Sequence, residues 1–231
     1  MKEILSGFYH LKLRGGVNAY LLDYQDELTL IDTGTPGSEK QIVAFIEEQL
    51  GKSMDQLKHI IVTHHHVDHA GSLAAIQEMS AAKVYMHPED AMLVVQGIGM
   101  RKGVIPAPHW FFKLLFYLFI KRSPKDITPA KTDHLIKDDD ILPIGKGFQV
   151  IHVSGHSQGQ VALLYQDYGG LLIAADAATN VMGLGHAPLY ENVAQGARDR
   201  AKLGRFKFEV AVFGHGRPIM RNAAKKFQKF R

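Results

Sequence analysis

Short apolar runs alternate with amphipathic stretches along the chain, and the period of each predicts its element. Residues 17–23 (VNAYLLD) and 28–32 (LTLID) are apolar runs of strand length separated by a polar turn at Gln25, Asp26 and Glu27. Gly34, Pro36 and Gly37 punctuate the next turn. Residues 38–50 then carry Ile42, Phe45, Ile46 and Leu50 on one side, the spacing of a helix. Residues 59–63 (HIIVT) form a buried strand that ends directly in a run of histidines, followed by a helix over 70–79 and a strand over 83–86. The second half repeats this logic, with strands at 148–153 (FQVIHV), 161–165 (VALLY), 171–175 (LLIAA) and 210–213, and a helix over 191–203. Each half is a sheet with helices, which predicts two sheets packed face to face with helices outside.

One stretch breaks the pattern. Residues 91–140 hold Pro106, Pro108, Pro124 and Pro129, and between them HWFFKLLFYLFI (109–120), apolar nearly all round and broken only by Lys113. As a helix it is roughly 18 Å long, whereas a bilayer span takes about 20 apolar residues, so no membrane span is expected. Three uses stay open: packing in the domain or a homodimer interface, a lid over a site within 104–120, or contact with a membrane surface.

Composition narrows the chemistry. The 231 residues include no cysteine, so disulfides, thiolate nucleophiles and sulfur-ligated metals are excluded together. Any metal must be held by nitrogen and oxygen. We read residues 1–231 as a single domain, with about 91–140 as an apolar helical insertion. No apolar stretch near the start has the length of a signal-peptide core, so a cytoplasmic location is expected. The net charge of +4 and a pI of 9.1 are mildly basic, owing something to Lys225, Lys226, Lys229 and Arg231. A solvated helix face accounts for that tail, and no nucleic-acid partner is expected.

The segment from Thr63 to Gly71 is the most informative. It leaves a buried strand and enters a helix, gathering His64, His66, Asp68 and His69 at the end of the sheet. Residues two apart in an extended turn point the same way, so His64 and His66 can close on one ion while Asp68 and His69 face a second. Such groups are costly to desolvate without partners, which argues against packing as their purpose. Three further strand ends each deliver one ligand type: His156 after FQVIHV, Asp176 after LLIAA and His215 after VAVF. Small residues beside His156 and His215 permit close backbone approach.

The pattern His-x-His-x-Asp-His, then Gly-His-Ser-x-Gly, then a strand-end Asp, then Gly-His, resembles the metallo-β-lactamase superfamily of hydrolases from Asn18 and the Asp32-Thr33-Gly34 turn to His215. The resemblance implies an α/β fold, an αβ/βα four-layer sandwich of two packed mixed sheets with outer helices. It implies that His64, His66 and His156 hold one divalent ion, that Asp68, His69 and His215 hold a second, and that Asp176 bridges them. Nitrogen and oxygen ligands favour zinc and also accept manganese, iron or cobalt. Two ions about 3.5–4 Å apart lower the pKa of a shared water toward about 7. Asp68 and Asp176 are the expected catalytic carboxylates. Asp32 would fix a histidine tautomer or the loop backbone, or simply cap its turn, and His65, pointing opposite to its neighbours, would support the site from behind or lie exposed.

Within the resemblance, exported β-lactamases, glyoxalase II enzymes with their long C-terminal helical region and tRNA-processing nucleases fit poorly. A hydrolase of a small ester, lactone or thioester, with an acyl chain against residues 104–120, fits better. The similar lactonases carry a tyrosine where this chain has Thr179, and Tyr190 is the substitute within reach. Two other classes stay open: a mononuclear iron persulfide dioxygenase, and a non-catalytic or nucleic-acid-binding member of the fold.

Overall fold

The computed structural model describes residues 1–108, 110–118, 120–122 and 124–230. His109, Phe119 and Arg231, named in the sequence reading of the apolar run and the basic tail, lie outside the described residues.

In chain order, the first sheet takes β1 (Lys2–Leu5), β2 (Phe8–Lys12), β3 (Asn18–Tyr24), β4 (Glu27–Ile31), β5 (Leu57–Ile61) and β6 (Lys83–Met86). A two-residue strand, β7 (Ile105–Pro106), stands apart, and β8 (His134–Leu135) returns to the first sheet beside β6. The second sheet takes β9 (Ile141–Leu142), β10 (Phe148–His152), β11 (Val161–Tyr165) and β12 (Leu171–Ile173). β13 (Leu189–Tyr190) pairs with β7, and β14 (Val210–Val212) closes the second sheet in parallel beside β12. Both larger sheets are mixed: β1 to β4 are antiparallel and β4, β5, β6 and β8 parallel, while β9 to β12 are antiparallel.

Alternation along the strands builds the layers. On β3, Ala19 and Leu21 face one core with Ile42, Phe45, Leu73 and Ile76 of the helices, while Tyr20 and Leu22 face a second. That second core lies between the sheets, where Ile31 and Ile61 meet Val150, Leu163 and Tyr165. On β11, Ala162 and Leu164 turn the other way, toward Leu203 and Phe227. A strand covered on both faces has no solvent side to fill with polar residues, which explains unbroken runs such as those of β11 and β12. Helix, sheet, sheet and helix thus stack as four layers, as expected.

The helices are α1 (Glu39–Ala44), α2 (Val67–Ala70), α3 (Leu73–Met79), α4 (Pro88–Val95), α5 (Trp110–Leu118), α6 (Val193–Leu203) and α7 (Ala223–Phe227). Two differ from the sequence expectation. The helix over 38–50 is α1 followed by a wider π turn at Phe45–Gln49. The helix over 70–79 is two pieces, because Thr33 takes the His69 carbonyl with both its N–H (2.7 Å) and its hydroxyl (2.9 Å), leaving none for a helical turn. Gly71 allows the break, since a Cβ there would meet the Val67 carbonyl at 2.2 Å. The hairpin of β1 and β2 and helix α4 were not anticipated. α4 begins before residue 91 and β8 joins the first sheet, so the flanks of the 91–140 segment are built into the main layers. Among the described residues, no helix is long and apolar enough to cross a membrane.

Candidate metal centre

The C-terminal ends of β4, β5, β10, β12 and β14 open toward one edge of the sandwich. A hydrogen bond from Val161 N–H to the Thr63 carbonyl (2.9 Å) ties the two sheets together there. One ligand atom from each of His64, His66 and His156 lies within 4.8 Å of the others, all three buried. His66 Nδ1 stands 2.9 Å from His156 Nε2. His156 Nδ1 is 2.9 Å from the Leu189 carbonyl, which can only accept, so Nδ1 carries the proton and Nε2 a lone pair. His64 follows the same rule at one remove. The Thr63 hydroxyl donates to Asp32 (2.8 Å), hence accepts from His64 Nδ1 (3.1 Å), and His64 Nε2 keeps its lone pair.

A second group combines Asp68, His69 and His215 within the same 4.8 Å. His215 Nε2 lies 3.1 Å and His69 Nε2 3.8 Å from Asp68 Oδ2. Asp176 reaches both groups: its carboxylate oxygens lie 3.6 Å from His156 Nε2, 3.4 Å from His215 Nε2 and 3.8 Å from His69 Nε2. All seven residues singled out from the sequence therefore converge on one place.

The residues fit a metal on their own evidence. His64 Nε2, His66 Nε2, His69 Nε2 and Asp176 Oδ1 are buried with no hydrogen-bond partner. An unsatisfied buried polar atom costs about 1–3 kcal/mol, so several in one cluster call for a ligand that takes lone pairs. The donor set of imidazole nitrogens and carboxylate oxygens suits a divalent transition metal.

Electrostatics divide the centre. Burial, reinforced by neighbouring imidazoles, holds His64 and His66 well below the ordinary histidine range. Burial also lowers His156, against the pull of Asp176. Burial works against protonation of His69 as well, yet Asp68, Asp32 and Asp176 raise it to about 10. His215 is raised to about 9, chiefly by Asp176 and Asp68 against its burial. Asp68 is driven down despite burial by His69 and His215.

Surrounding residues fix these side chains. Asp32 sits at a left-handed φ of 63°, accepts from the Thr63 N–H (2.8 Å) and stands 2.9 Å from His69 Nδ1, aiming Nε2 at the centre. Asn18 donates to the Phe213 and Gly216 carbonyls (3.0 and 2.9 Å), and Tyr20 to the Phe213 carbonyl (2.8 Å), holding the loop that bears His215. Gly214 is required there, because a Cβ would meet Asp176 Oδ1 at 2.1 Å.

His65, expected either to support the site from behind or to lie exposed, is buried with Nδ1 3.1 Å from Asp90 Oδ2. Asp90 was missed. Its carboxylate accepts from His65 N–H (3.1 Å), the Ser157 hydroxyl (2.6 Å) and Gly159 N–H (2.9 Å), binding the His64–His66 turn to the loop carrying His156. In sequence, His-Pro-Glu-Asp reads as the acidic first turn of a helix, and nothing in it points to a distant loop. His64, His69 and Asp176 also gather within 4.8 Å, across the two groups, and Glu191, also missed, gathers with His65 and His66 beside the first.

A cavity of about 910 Å³ opens on the centre. His66, Asp68, His156, Asp176 and His215 line it together with Val67, Met100, Phe112, Ile120, Val181, Met182, Leu184 and Leu189. Thr179 lines it too, but its hydroxyl donates to the His186 carbonyl (2.8 Å). Tyr190 does not substitute for the lactonase tyrosine: it is fully buried, and its hydroxyl is occupied by Arg200 (2.7 Å) and the Ala187 N–H (2.9 Å).

Known proteins carry the same architecture. A metallo-beta-lactamase family protein from Thermus thermophilus superposes with a TM-score of 0.72 at 24% identity, covering 98% of this chain and 79% of that one. In sequence, the uncharacterized protein YobT of Bacillus subtilis is 34% identical over 163 residues, which span 70% of this chain and 61% of that protein. YflN of the same organism, described as a probable metallo-hydrolase, is 27% identical over 87% of this chain and 81% of its own length. A hydroxyacylglutathione hydrolase of Chromohalobacter salexigens is 26% identical over 84% of this chain and 58% of that protein. The family model of the metallo-beta-lactamase superfamily matches residues 13–215, the stretch that holds all seven converging side chains, and the chain belongs to that superfamily of metal-binding hydrolases.

Proposed function

We propose that this protein holds two divalent metal ions, zinc foremost, and hydrolyses the ester, lactone or thioester bond of a small acyl substrate in the cytoplasm. In this reading His64, His66 and His156 hold one ion, Asp68, His69 and His215 the other, and Asp176 bridges them. The observation that carries it is the place of Asp176, within 3.8 Å of a histidine from each group. Bound there, the ions supply a water of lowered pKa and a Lewis acid for the oxygen that gains charge. The chain supplies the rest. Asp176 and Asp68 supply negative charge and fixed lone pairs at the centre. Asp68, which lines the cavity and is held ionised by His69 and His215, would accept a hydrogen bond from the attacking water, whose proton ends on the departing oxygen or sulfur. Phe112, Ile120, Val181 and Leu184 hold the acyl chain and keep bulk water away.

An acyl substrate is favoured by the apolar lining, and the relationship to a hydroxyacylglutathione hydrolase is in keeping with it. Thr179 and Tyr190 are both engaged elsewhere and no tyrosine is among the described residues that line the cavity, which counts against a lactonase-type phenol and leaves a lactone as the least favoured of the three substrates.

The test combines metal analysis with a panel of esters, lactones and thioesters of increasing acyl length. Two equivalents of metal are expected, with kcat/KM rising about fourfold per methylene, from about 0.8 kcal/mol each. Phe112→Ala should flatten that rise, Phe116→Ala should act less because its ring is buried and does not line the cavity, and Phe119 lies outside the described residues. A single iron per chain with no hydrolysis would sink the reading, and a flat length profile in the parent would remove the acyl wall from it.

A further inference from the structure

We propose that α5 and the neighbouring loop at the cavity mouth form a docking face for an anionic lipid bilayer. The outer side of α5 repeats apolar residues at helical spacing: Trp110 (68% exposed), Leu114, Tyr117 and Leu118 all face solvent. The opposite side is taken by Phe116, buried, and Phe112, which lines the cavity. The helix is therefore fastened from beneath while presenting apolar surface outward. Across the mouth, Val181 and Met182 (75% exposed) add to the same rim, and both line the cavity.

Charge selects the occupant. From residue 91 to residue 125 there is no acidic residue, while Arg101, Lys102, Lys113, Lys121, Arg122 and Lys125 are basic. Arg101 is engaged by Glu89 and Glu191, but Lys102, Lys113, Lys121 and Arg122 are exposed around the apolar face. Lys121 Nζ lies 5.4 Å from the Tyr117 ring centre, grouping cation and aromatic at one level. Trp, Tyr and Lys on one face of a helix too short to span suit the boundary between headgroups and acyl chains. A second copy of this chain fits less well, because a twofold contact through α5 would bring basic residues against their own counterparts.

Docked this way, the cavity mouth opens at the bilayer surface, where lipid-borne acyl substrates are concentrated. That last consequence rests on the acyl reading; the docking does not.

Trp110 is the only tryptophan in the chain, so its emission reports on α5 without background. The metal-loaded protein is mixed with vesicles of phosphatidylcholine, or of phosphatidylcholine and phosphatidylglycerol in equal parts, and followed by emission and by co-sedimentation. Blue-shifted emission and pelleting are expected with phosphatidylglycerol and not with phosphatidylcholine alone. Lys113→Gln with Lys121→Gln should weaken binding about 25-fold, at about fivefold per lysine near an anionic surface. Leu114→Ser with Leu118→Ser should abolish the blue shift, and far-UV dichroism and metal content should be unchanged in both variants. No pelleting with either vesicle, or a blue shift that follows protein concentration without lipid and accompanies dimers in the ultracentrifuge, overturns the proposal. Binding is read without turnover, so failure of the hydrolase reading leaves a distinct signature: vesicle binding with no substrate cleaved.

Discussion

The two ligand groups of the centre lie side by side yet differ in electrical character. His64, His66 and His156 form a group made of imidazoles alone, with pKa values lowered by burial even though Asp176 approaches His156. Asp68, His69 and His215 form a mixed group in which carboxylates hold both histidines protonated in the absence of metal. The first is ready to take a cation as it stands. The second already contains its cations, as protons, and must exchange them. On the proposed two-ion reading, the centre would offer one preformed site and one that must exchange protons, with Asp176 between them.

The largest expected effect comes from removing the joint. Asp176→Asn takes a charge from both groups, and kcat should fall on the order of a thousandfold, comparable with loss of a fixed electrostatic stabiliser. Retention of full metal content and activity would remove Asp176 from the site.

Acidity should then separate the groups. The metal-free protein titrated with zinc should load in two steps. The first step changes little between neutral and mildly acidic pH, because lowered histidine pKa values leave those rings unprotonated. The second weakens as pH falls from about 9 and 10, the raised values at His215 and His69, because those rings must lose protons to bind. With two protons displaced, the loss approaches about a hundredfold per pH unit. Parallel pH dependence for both steps would erase the distinction.

A smaller effect addresses each group from behind. Asp32→Asn loses the charged acceptor that aims His69 directly and sets His64 only through Thr63, so it should weaken the second step by about ten- to a hundredfold and the first by less. Asp90→Asn should do the reverse, since its contacts run to His65, Ser157 and Gly159 around the imidazole pocket. Metal titrations of both variants check whether the effects cross in this way.

The sequence was most legible where an apolar run ends in a polar side chain. His64, His156, Asp176 and His215 each follow a strand that packs on both faces, so the run and its ending are visible together. The β1–β2 hairpin was not read because it is short and half exposed, its apolar period covering little more than Phe8 and Leu11. Asp90 was illegible for another reason. Its partners lie 25 to 69 residues away, and local patterning carries no information about such contacts. The split of the helix over 70–79 likewise depends on Thr33, more than thirty residues earlier.

The order of the chain sets the order in which the ligand side chains are synthesised. His66 and His156 are 90 residues apart, and the last member of the mixed group, His215, comes later than either. A chain emerging from the ribosome carries every side chain of the imidazole pocket once residue 156 has been made. The mixed group must wait for residue 215 and for the Asn18 and Tyr20 contacts that seat its loop. The side chains of the imidazole group are thus synthesised before those of the mixed group are complete, although His156 gains its orienting partner only with Leu189.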